Sequence, residues 1–68
     1  MSPENVIVLR CDPEARCWTA EFQGPEAKRI LHLFGTTVLP TPFTDKAPPE
    51  TVFAAIRARN PDHQAILG

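Results

Sequence analysis

The sequence predicts a small α+β fold: a mostly antiparallel sheet with two short helices on one face, in the order β-β-α-β-α-β. Three observations point there. Residues 6–11 and 17–22 are rich in β-branched, aromatic and aliphatic side chains and flank a polar connection containing Asp12-Pro13, which reads as a hairpin. Residues 25–34 and 48–59 each carry apolar residues at helical spacing. Short apolar segments after each helix fit strands that return to the sheet.

The hairpin organises the rest. In its second strand Trp18, Ala20 and Phe22 share one face and Cys17, Thr19 and Glu21 the other, so the aromatic side is the core side. The first strand is apolar on both sides through Val6, Ile7, Val8 and Leu9. If Cys11 stood opposite Cys17, Val6, Val8 and Arg10 would join the core face. Slipping by one residue substitutes Ile7, Leu9 and Cys11, and this register is preferred because it keeps Arg10 out of the core. An apolar strand of this kind is expected to be flanked on both sides, as an inner strand or at an oligomer interface.

Gly24-Pro25-Glu26 then breaks the strand pattern, with Pro25 suited to the first helical position and Glu26 to the first turn. Ala27, Ile30, Leu31 and Phe34 fall on one helical face, and Gly35 is placed as a C-terminal cap. A strand reading of residues 30–34 competes, and the helix is preferred. Residues 36–43 begin as a strand but contain Pro40 and Pro42, which restricts them to an edge strand or an extended cover anchored by Leu39 and Phe43. Pro48 opens the second helix, Val52, Phe53 and Ile56 form its apolar stripe, Arg57 and Arg59 point outward, and Asn60-Pro61 stops it. Residues 64–67 suffice for a last short strand.

With 68 residues the chain forms a single small domain. A domain of that size buries only about 60% of its unfolded surface, so oligomerisation is a natural source of added stability and a homodimer is expected. Seven Lys and Arg against eight Asp and Glu give a net charge of −1, which removes the electrostatic basis for nonspecific phosphate binding. Nucleic acid is therefore not the expected partner. No run approaches a membrane span, and the aliphatic run at residues 6–9 is too short for a signal sequence. A cytoplasmic protein with reduced thiols and no cofactor is expected.

Candidate chemistry is sparse. Cys11 and Cys17 would lie near each other at the hairpin mouth, where a disulfide or a pair of metal ligands is geometrically conceivable. Their spacing departs from that of zinc cysteines, and a four-ligand set would need both His32 and His63. Two ordinary thiols are the preferred reading. His32 falls on the polar side of the first helix and His63 in a loop beside Asp62, neither with a partner that would make it a general base. Glycine-rich phosphate loops and nucleophile-elbow motifs are absent from the sequence. Trp18 and Phe22 could stack bases only if basic residues interleaved with them; Ala20 lies between, so they read as core. No catalytic, cofactor-binding or metal-binding residue is assigned, and no enzyme is expected.

The hairpin also carries a family likeness. A short aliphatic strand, Asp12-Pro13-Glu14, then Trp18-Thr19-Ala20-Glu21-Phe22 and a Gly-Pro pair resembles the N-terminal half of HicB-like antitoxins. The family's later Gly-x-Thr segment and Glu-Ala-rich helix are echoed loosely by residues 44–55. Residues 25–42 stand as an insertion relative to that pattern, and no helix-turn-helix or ribbon-helix-helix segment follows. The resemblance implies a β-β-β-α-β core that binds and blocks a small, basic RNA-cleaving toxin without DNA binding of its own. A structural homodimer and a metal-dependent accessory protein using Cys11, Cys17 and a histidine are the alternatives.

Overall fold

The computed structural model describes residues 4–68. Its elements run β1 (Val6–Asp12), β2 (Cys17–Gln23), α1 (Pro25–Phe34), β3 (Val38–Thr44), α2 (Pro49–Arg59) and β4 (Gln64–Leu67). The order β-β-α-β-α-β is the one the sequence predicts, and the competing strand at residues 30–34 is replaced by helix. A four-stranded sheet in the order β3-β2-β1-β4 results. Its β1–β2 and β2–β3 pairs are antiparallel, while β4 lies parallel to β1. A parallel neighbour cannot follow by a tight turn, and α2 supplies part of the long connection that brings the chain from one edge of the sheet to the other.

The hairpin adopts the slipped register. Ile7 stands opposite Phe22, Leu9 opposite Ala20 and Cys11 opposite Trp18. Arg10 consequently faces the other side, where its guanidinium meets the Glu21 carboxylate at 3.3 Å. The turn itself is tied by Asp12, whose Oδ1 accepts the backbone N–H groups of Glu14 and Ala15 at 3.0 and 3.3 Å. An aspartate bonding its own backbone in this way is a standard means of fixing a tight connection. Arg16 closes the turn at φ 57°, in the left-handed region.

The main core lies on the Ile7 and Leu9 face. Ile7, Leu9 and Val52 are fully buried and join Trp18 and Ala20, with Phe22, Phe43, Phe53, Ile56 and Ala65 packed around them. Burying side chains of this size contributes about 1.5–3 kcal/mol each, so this cluster holds α2 on the sheet. Trp18 also donates its indole N–H to the carbonyl of Ala47 at 3.2 Å, which satisfies the one polar atom of the buried ring. β1 is the inner strand that its two apolar faces require, flanked by β2 and β4, and Val8 on its second face is buried as well.

Candidate interaction surface

α1 is held at its start and free at its end. Gly24, at φ 99°, precedes Pro25 and offers no side chain to the orphan N–H groups of the first turn. Asn5, just before β1, fills that role from outside the helix: its Oδ1 accepts the Glu26 N–H at 3.0 Å. Glu26 in turn pairs with Arg29 one turn on. At the other end Gly35 takes the left-handed conformation at φ 75° and its N–H returns to the Leu31 carbonyl at 2.8 Å.

Packing does not follow the apolar stripe to its end. Of Ala27, Ile30, Leu31 and Phe34, Ile30 is buried and Ala27 half-buried, whereas Leu31 is 50% and Phe34 59% exposed. Phe34 lies four residues beyond Ile30 on the same side of the helix, so the stripe continues past the ground on which Ile30 is seated. Leu33 at 61% and Val38 at the start of β3 at 42% add to the exposed apolar surface of this segment. Lys28, Arg29 and His32 are exposed on the same helix. A helix end that presents Leu31, Leu33 and Phe34 to water is the feature of the chain best suited to receive another molecule.

The residues considered for chemistry are not gathered. Cys11 and Cys17 fall on opposite faces of the hairpin, since Cys11 pairs with Trp18 and Cys17 with Asp12. Both thiols are free, Cys11 exposed with its Sγ donating to the Asp45 carbonyl at 3.4 Å, and Cys17 half-buried. His32 is exposed, as its place on the helix suggests. His63 departs from its expected surface position. A turn closed by its N–H to the Asn60 carbonyl at 3.0 Å brings the imidazole edge-on to Phe22, with ring centroids 5.8 Å apart. Both ring nitrogens are buried there without a hydrogen-bond partner. Among the described residues no group of three or more His, Cys, Asp and Glu side chains is placed to hold a metal ion.

An apolar cleft between β3 and α2 is lined by Pro42, Phe43, Ala55, Ile56 and Arg59 and measures about 50 Å³. That is space for a single small group, well short of the several hundred Å³ usual for substrate pockets. No helix among the described residues is long and apolar enough to cross a membrane. Comparison with protein-family models, curated proteins and solved structures returned no match.

Proposed function

We propose that the chain is a non-enzymatic protein-binding module of the HicB-like kind, whose partner is a small basic ribonuclease toxin that it blocks. The observation carrying this reading is the element order. With α1 alone set aside in the β2–β3 connection, in place of the whole of residues 25–42 expected as an insertion, the chain reads β-β-β-α-β, the core that the hairpin resemblance implies. The inserted helix is also where Leu31, Leu33 and Phe34 are exposed, so the departure from the family pattern and the available docking surface coincide. Burial by a partner of Leu31 and Phe34, three residues apart on one side of α1, would remove apolar surface from water, the main driving force of association.

The test is co-expression with a small basic ribonuclease encoded beside the chain's gene. A complex that stays together through size-exclusion chromatography, and that is lost with Phe34→Lys, supports the reading. Separate elution at micromolar concentration of both proteins contradicts it.

A further inference from the structure

The two edges of the sheet differ in what they can accept. Just before β3, the Thr37 carbonyl receives the Phe22 N–H at 2.8 Å, and within the strand Leu39 stands opposite Ala20. Alternation along an antiparallel ladder turns the main chain of Val38 and Pro40 outward, and proline has no N–H to offer there. Pro42 removes a further donor from the same strand. An edge interrupted in this way is closed to strand addition.

β4 is the opposite case. Gln64 donates to the Asn5 carbonyl and Gly68 to the Leu9 carbonyl, both at 2.9 Å. Alternate residues of a parallel ladder address the same neighbour, so the N–H and C=O groups of Ala65 and Leu67 point away from the sheet. Among the described residues nothing pairs with them. The strand Gln64–Leu67 contains no proline and no charged residue. Leu67, at 64%, is the most exposed large apolar side chain among the described residues, and Ile66 beside it is 39% exposed.

We infer that β4 pairs antiparallel with β4 of a second copy, making one continuous sheet across a two-fold axis. The occupant follows from three properties of these edges. The free groups are main-chain donors and acceptors, so they select an extended backbone. The segment is uncharged, so two copies set side by side bring no like charges together. Because β3 is closed, a second copy can use only its own β4, which yields a closed dimer and not an open-ended array. Ala65 of each copy exchanges both hydrogen bonds with Leu67 of the other, and the two Ile66 side chains meet across the axis on one face. Leu67 then lies against the Ala65 side chain of the neighbour. This contact is distinct from the α1 surface and does not rest on the proposed toxin partner.

Sedimentation of the full chain, from about 10 µM to roughly 1 mM, tests it against the millimolar range in which a short interface associates. The mass rises toward that of a dimer, and the Ala65 and Leu67 amides show slower hydrogen exchange as it does. Ala65→Pro removes an outward N–H and leaves the β1 ladder its donors; Leu67→Lys, at an exposed side chain, places charge at the axis. Both variants remain monomeric with an unchanged circular dichroism spectrum, while Phe34→Lys still dimerises. A wild-type chain that is monomeric throughout overturns the inference, as does a dimer that survives in folded Ala65→Pro or Leu67→Lys.

Discussion

Asn5 and Glu26 are 21 residues apart in sequence and joined by one hydrogen bond, the Asn5 side-chain Oδ1 accepting the Glu26 backbone N–H at 3.0 Å. This contact ties the entry to β1 to the first turn of α1. It also accounts for the burial of Asn5 beside the apolar start of β1, Val6 to Leu9. Replacing Asn5 with Ala leaves the donor unsatisfied and is expected to lower stability by about 1–2 kcal/mol. Urea unfolding of the two proteins measures this directly; an unchanged midpoint would show that the contact carries no weight.

Gly24 and Gly35 both have positive φ, yet their substitutions separate. A Cβ at Gly24 would collide with the Glu4 carbonyl oxygen, whereas at Gly35 nothing lies within 4 Å. Gly35→Ala should cost about 1 kcal/mol from the left-handed conformation alone. Gly24→Ala should cost clearly more, because the backbone of β1 or α1 must shift to make room. Thermal melts of the pair check the ranking.

The cysteines offer a chemical test of register. With Cys11 opposite Trp18 and Cys17 opposite Asp12, the two side chains leave the sheet on opposite sides. Mild oxidation of the folded protein at low concentration should form no bridge within the chain, and the exposed Cys11 should react with a thiol reagent faster than Cys17. An internal disulfide formed without loss of structure, identified by mass spectrometry, would require the unslipped pairing.

His63 presents two buried nitrogens without partners against the Phe22 ring. Replacing such a group by an apolar one of similar shape removes an unmet desolvation cost. His63→Phe is therefore expected to leave stability unchanged or raise it by roughly 1 kcal/mol. A large drop in melting temperature would mean that those nitrogens have partners in solution.

Much of this fold was legible in the sequence, for identifiable reasons. The hairpin register followed from Arg10, whose burial would have been costly, and the order of elements followed from Pro25, Gly35, Pro48 and Asn60 as start and stop signals. Other features lie beyond what local pattern can say. Helical periodicity marked Phe34 as apolar-side without telling how far the supporting surface extends beneath it. The Asn5 cap joins residues too distant for any capping motif to mark. His63, next to Asp62, looked like a surface residue, and only the turn from Asn60 directs it inward. For the candidate surface the sequence supplied Leu31 and Phe34 as members of a core stripe; their exposure is a property of the assembled fold.

The central claim, that the chain binds and blocks a small basic ribonuclease through its α1 surface, is met most directly by titrating that enzyme's RNA cleavage with the chain. The account predicts that cleavage falls to completion near equimolar addition, and that Phe34→Lys, folded but altered at the exposed helix end, inhibits far more weakly. Cleavage unaffected by an excess of the wild-type chain would contradict it.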